Sequence, residues 1–123
     1  MRYVLYVLLL LSVSTLAFGA SGAALTYQVN GQSYEGYYIS PSDQAPFVLL
    51  IHDWDGLTDY EVKRAEMLAE LGYTGLAVDL YGAGRTAADP EEAGKLMNAL
   101  LADTTVLRGR FNSALTKGLS LES

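Results

Sequence analysis

FVLLIHDWDGLTDYEVKRAEMLAELGYTGLAVDL, residues 47–80, holds the succession of elements from which the fold is read. Phe47 to Ile51 is apolar without alternation, which predicts a strand covered on both faces. The loop His52-Asp53-Trp54-Asp55-Gly56 follows. From Thr58-Asp59 onward, Val62, Ala65, Leu68 and Ala69 recur at helical spacing. Gly72 stands where a left-handed C-terminal cap is expected. Tyr73 to Leu80 reads as a second buried strand centred on Gly75 to Asp79. Strand, helix and strand with short connections make a βαβ unit, and its two strands should be parallel. His52 and Tyr81 should then lie at the same edge of the sheet.

Working outward, Thr26 to Val29 and Tyr34 to Ile39 flank Asn30-Gly31. Asn-Gly is a strong hairpin signal because both positions tolerate positive φ, and the tyrosines 27, 34, 37 and 38 suit a half-buried pleated surface. On the other side, Tyr81 to Ala88 is a loop. Asp89-Pro90-Glu91-Glu92 starts a helix, with Asp as N-cap, Pro at the first position and acids facing the dipole. That helix is expected to run to about Leu101. Asp103 or Thr104 caps a third helix with Leu107, Phe111 and Leu115 on one face, and 117–123 has no clear pattern.

The 123 residues allow one domain at most. Met1-Arg2 followed by the apolar run Tyr3 to Phe18 and the small residues Gly19 to Ala24 reads as an export signal. Ser21 and Ala23 meet the small-x-small requirement, which places cleavage after Ala23. The apolar run is short for a bilayer span of about 20 residues. The expectation is therefore an exported chain, periplasmic or extracellular, with residues 1–23 as signal, 24–123 as domain and no membrane attachment after cleavage. No cysteine is present, which excludes disulfides, thiolate metal sites and a cysteine-linked lipid anchor. Seven basic residues against 14 acidic leave the mature chain at −7. With no basic run beyond Lys63-Arg64, nucleic acid is not an expected partner.

Ligands of open α/β sheets bind beyond the carboxyl ends of the parallel strands. Two loops fall there, His52 to Gly56 and Tyr81 to Arg85. A lone loop histidine such as His52 is first of all a hydrogen-bonded structural residue. Trp54 at a strand end is by default a packing residue. Asp53 and Asp55 echo part of a calcium loop, but the full ligand spacing and terminal glutamate are missing, and no metal site is expected. Arg85 on a Gly-flanked loop is able to clamp a carboxylate.

The strand end Leu-Ile-His-Asp-Trp-Asp-Gly-Leu-Thr-Asp59, the strand end Leu-Ala-Val-Asp-Leu-Tyr-Gly82 and the run Arg-Thr-Ala-Ala-Asp-Pro-Glu-Glu-Ala93 together resemble the dienelactone hydrolase family, a branch of the α/β-hydrolases. The resemblance runs from about Tyr27 to Leu115. It implies an incomplete α/β-hydrolase-type sheet: an antiparallel hairpin, a parallel βαβ unit and two further helices. It implies hydrolysis of carboxylic esters or lactones through an acyl-enzyme, without a cofactor. Asp53 matches the acid that gates the family's nucleophile, one methylene shorter than the usual glutamate. Trp54 matches the residue whose backbone N–H enters the oxyanion hole. His52, Tyr81 and Arg85 are candidate substrate-binding residues.

The same resemblance places the nucleophile, a cysteine or serine, on a tight turn after the next strand, with the triad acid and histidine later still. This chain has neither a cysteine nor a G-x-S-x-G turn. The layout reads as the first portion of a larger domain, inactive by itself. A thin sheet with an open apolar edge points the same way, since such an edge invites aggregation. The alternative is a non-catalytic exported module that keeps the fold's pocket to bind a ligand.

Overall fold

The computed structural model describes residues 19–123, so the apolar run of the expected export signal lies outside the described residues. Seven elements follow in order: β1 (Ala23–Val29), β2 (Gln32–Ile39), β3 (Phe47–Ile51), α1 (Asp59–Glu70), β4 (Thr74–Val78), α2 (Pro90–Leu101) and α3 (Thr104–Leu119). One four-stranded sheet has the order β1-β2-β4-β3. β1 and β2 form the expected antiparallel hairpin, with Asn30 at φ 50° and Gly31 at φ 80° in its turn. Tyr27 and Tyr34 stand opposite each other in register and stack at 5.7 Å. β2 pairs antiparallel with β4, and β4 pairs parallel with β3, Leu49 opposite Leu76. The sheet is therefore mixed, with the βαβ unit at one side and the hairpin at the other.

Alternating side chains divide the core between two faces. On one face α1 lays Ala65 and Ala69 against Ile39, with Tyr37 and Leu50 at the margin. Gly75 makes this approach possible, because a Cβ there would sit 3.1 Å from the Ala65 backbone. On the other face Leu25, Tyr27, Tyr34, Leu76 and Val78 meet Leu96 and Leu100 of α2 and Ala114 of α3. Leu76 and Val78 are fully buried, and each such side chain contributes about 1.5–3 kcal/mol relative to exposure.

The helices begin where their caps dictate. Thr58 and Glu61 form a capping box, and this satisfies the buried Glu61 carboxylate through the Thr58 N–H at 2.8 Å and its hydroxyl at 2.9 Å. Asp89 accepts the N–H of Glu92, and Asp103 those of Thr105 and Val106.

Three expectations need correction. β3 is not covered on both faces: it is one of the sheet's two outer strands, Phe47 to Leu50 are half-buried, and Ile51 is 50% exposed. Its apolar run was decided by faces that α1 and α3 cover only in part. β4 is shorter than Tyr73 to Leu80, because Asp79 turns the chain as the ladder ends at Val78. The segment 117–119 is helical, not patternless. There Gly118 brings α3 down onto the sheet, and a Cβ at that position would stand 2.6 Å from Leu76 Cδ2. A missing side chain leaves no periodic signal.

A candidate oxyanion loop at the carboxyl ends of the parallel strands

The loops after β3 and β4 meet, as the topology requires. The rings of His52 and Tyr81 lie 4.7 Å apart at an interplanar angle of 55°. With Ile51, Asp53, Trp54 and Leu80 they line a hollow of about 270 Å³, closed on the helical side by Met97, Leu100, Leu101 and Leu107. Larger hollows exist, among them one of about 560 Å³ between β1 and α3. The smaller one is the candidate site because it lies beyond the strand ends, where such sheets bind ligands.

His52 is buried, and both ring nitrogens are engaged. Nε2 accepts the backbone N–H of Leu80 at 3.2 Å. A backbone N–H is only a donor, so Nε2 carries no hydrogen and the neutral ring is protonated at Nδ1. Nδ1–H then donates to the carbonyl of Asp53 at 2.6 Å. That is the hydrogen-bonded structural role expected of a lone loop histidine.

The turn itself is held by its carbonyls. Asp53 O also accepts the N–H of Gly56 at 3.3 Å, and Asp55 O accepts that of Ala87 at 2.8 Å. Trp54 O accepts the Tyr81 hydroxyl at 2.8 Å. Burial and then the charge of Asp55 push the Tyr81 phenol up, so it remains a donor. Among the described residues the N–H of Trp54 meets no acceptor. The Asp53 carboxylate is exposed, and the Trp54 ring is 47% exposed rather than packed, because the turn projects past the end of β3. Gly56, at φ 98°, lets the second loop close in: a Cβ there would meet the Arg85 carbonyl at 2.9 Å.

Four of the five sequence-predicted residues thus share one hollow: His52, Asp53, Trp54 and Tyr81. Arg85 does not. Its exposed side chain borders a separate hollow with Asp89, Glu91, Glu92 and Lys95 of α2. Among the described residues no three His, Asp or Glu side chains converge as metal ligands would.

Two supporting residues escaped the sequence reading. Asp79 is 2% exposed, and its carboxylate accepts the N–H groups of Tyr81 at 2.9 Å, Gly82 at 3.0 Å and Glu35 at 3.0 Å. Its carbonyl accepts the hydroxyl of Tyr27. Arg110 of α3 donates from Nη1 to Leu80 O at 2.7 Å, so the N–H and the carbonyl of Leu80, on the two peptides that flank its Cα, are both held. A buried acid at the end of an apolar strand was a readable signal for Asp79. Arg110, 30 residues beyond its acceptor, carried none.

Known proteins resemble this chain in sequence and in fold. The model of the dienelactone hydrolase family matches residues 34–120. The Aquifex aeolicus (strain VF5) protein named "Putative carboxymethylenebutenolidase" is 34% identical over 82 residues, which are 64% of this chain and 35% of that protein. Protein usf of Aquifex pyrophilus is 34% identical over 79 residues, 62% of this chain and 34% of its own length. Among solved structures, m3DLH superposes with a TM-score of 0.74 at 28% identity, covering 82% of this chain and 43% of that one. P91, a dienelactone hydrolase-like promiscuous phosphotriesterase from metagenomic libraries, reaches 0.72 at 22% identity with the same coverage and so speaks for the fold. The chain spans about a third of these curated relatives and under half of the solved chains. The family match takes in the sheet from β2 onward and all three helices, and on it the chain belongs to the dienelactone hydrolase family.

Proposed function

We propose that this chain forms the oxyanion-loop portion of an exported hydrolase that opens carboxylic esters or lactones through an acyl-enzyme. The observation that carries the reading is the N–H of Trp54, which meets no acceptor among the described residues and is presented at the carboxyl ends of parallel strands in a member of this family. A preorganised N–H of this kind stabilises the oxyanion of a tetrahedral intermediate by about 3–4 kcal/mol. Asp53 is the acid beside the nucleophile, and Tyr81 with the apolar wall of Leu80, Leu100 and Leu107 forms part of the acyl pocket. The nucleophile, its base and the orienting acid come from outside this chain, which has neither a cysteine nor a G-x-S-x-G turn. His52 is not that base: both its nitrogens are engaged with backbone.

The test is release of a chromophore from an activated aryl ester. The chain alone should stay at buffer background. The chain joined to the remaining strands of a dienelactone hydrolase domain, nucleophile included, should turn over. Turnover by the chain alone that is lost in His52→Ala, or a folded joined protein without turnover, overturns the reading. Export is tested by N-terminal sequencing of the secreted product, expected to begin at Ala24, the second residue of β1. Retention of Met1 to Phe18 in a membrane fraction overturns it.

A further inference from the structure

We propose that His52 is a positioning residue that sets the direction of the Trp54 N–H by gripping the other end of the same peptide unit. The carbonyl of Asp53 and the N–H of Trp54 belong to one planar group and point in opposite directions. The His52 Nδ1–H bond to that carbonyl, at 2.6 Å, therefore fixes where the N–H points. The ring is in turn unable to swing. Nε2 is tied to the Leu80 N–H, Tyr81 lies against one side at 4.7 Å, and Arg110 holds the Leu80 carbonyl. The direction of an exposed turn peptide is thus referred back, through one imidazole, to the buried turn that follows strand β4.

The Gly56 N–H reaches the same carbonyl, but at 3.3 Å from within the turn. That contact lies within the turn and ties the Asp53 carbonyl to nothing outside it. Among the described residues only His52 connects the Asp53–Trp54 peptide to the turn after β4. The Tyr81 hydroxyl holds the following peptide, through Trp54 O, and does not determine the plane that carries the Trp54 N–H. The catalytic use of this device rests on the hydrolase reading above; its geometry does not.

Two substitutions separate the two bonds of the ring. In His52→Asn the amide nitrogen occupies the place of Nδ1 and keeps the donor to Asp53, while the acceptor for Leu80 is lost. In His52→Gln the amide oxygen occupies the place of Nε2 and keeps the acceptor, while the donor is lost. The measurement is the one-bond N–H residual dipolar coupling of Trp54 in the weakly aligned 24–123 chain, which reports the direction and averaging of that bond. In His52→Gln the coupling should fall by about half or more as motion averages it, with the couplings of β4 unchanged. In His52→Asn it should stay near the wild-type value. A Trp54 coupling unchanged in His52→Gln overturns the proposal. If either variant fails to fold, the imidazole nitrogen spectrum of the wild-type chain decides: hydrogen on Nδ1 supports the proposal, hydrogen on Nε2 overturns it. A joined protein without esterase activity whose Trp54 coupling still depends on His52 removes the hydrolase reading and leaves the positioning role standing.

Discussion

Asp79 Oδ2 accepts the backbone N–H of Glu35 at 3.0 Å, across 44 residues of chain. The same carboxylate closes the turn after β4 through Tyr81 and Gly82. One buried acid therefore joins the hairpin to the parallel strands and shapes the loop that brings Tyr81 to the Trp54 carbonyl.

Removing that acid strands three N–H groups. Each buried donor left unsatisfied costs about 1–3 kcal/mol, so Asp79→Ala should lose about 3 kcal/mol or more. Asp79→Asn keeps one oxygen acceptor and should lose about 1–2 kcal/mol. Urea unfolding of the 24–123 chain measures both. A loss below about 1 kcal/mol for the alanine variant contradicts the keystone role.

Two glycines of α3 should respond to alanine with opposite signs. Alanine is favoured over glycine in a helix interior by about 0.8–1 kcal/mol. At Gly109 a Cβ meets nothing within 4 Å, so Gly109→Ala should stabilise by about that amount. At Gly118 the Cβ would stand 2.6 Å from Leu76 Cδ2 and 3.0 Å from the Phe47 ring. Leu76 is fully buried and has little room to yield. Overpacking costs about 1–3 kcal/mol, which outweighs the propensity gain, and Gly118→Ala should destabilise by about 1 kcal/mol. Paired thermal melts decide, and equal signs at the two positions refute the packing of α3 on the sheet.

Alkaline pH should loosen the domain through its tyrosines. Burial pushes the Tyr27 phenol up, helped by the charge of Asp79. Burial, with the hydrogen bond to Glu122, pushes Tyr38 up to about 12. The fold thus prefers the neutral phenols relative to an unfolded value of about 10. Their contribution is complete below about pH 10 and disappears as pH rises through the folded values. The denaturation midpoint should hold steady up to about pH 10 and fall beyond it, less steeply in Tyr38→Phe. An equally steep fall in Tyr38→Phe excludes Tyr38 as a contributor.

The outer edge of β3 should drive association of the isolated 24–123 chain. Ile51 is 50% exposed and shares its hollow with Trp54 at 47% and Leu101 at 54%. Ile51→Lys places a charge at this edge, a device that blocks strand pairing. Sedimentation should show concentration-dependent association in the parent, moved to about tenfold higher concentration in the variant, equivalent to about 1.4 kcal/mol. A parent chain that stays monomeric at millimolar concentration refutes the edge as an association surface.

The amino-acid sequence by itself determined the local elements and much of the site. Asn30-Gly31 specified the hairpin because its turn needs positive φ at two successive residues. Asp89, Pro90 and Asp103 specified helix starts because a cap is a contact within a few residues. The parallel βαβ unit brought His52 and Tyr81 to one edge because such a connection leaves few alternatives. Only the tertiary structure decided how those residues are used. The hydrogen bonds of His52 to Leu80, of Asp79 to Glu35 and of Arg110 to Leu80 span 28, 44 and 30 residues. The partial exposure of β3 was likewise undecidable from Phe47 to Ile51, since an apolar run specifies burial but not which neighbours supply it. Arg85 illustrates the same limit: its loop position was legible, but the turn from Gly82 to Arg85 set its side chain beside α2 and away from the hollow of His52. Local contacts are written in neighbouring residues, whereas the direction of one exposed N–H depends on a histidine braced against another strand.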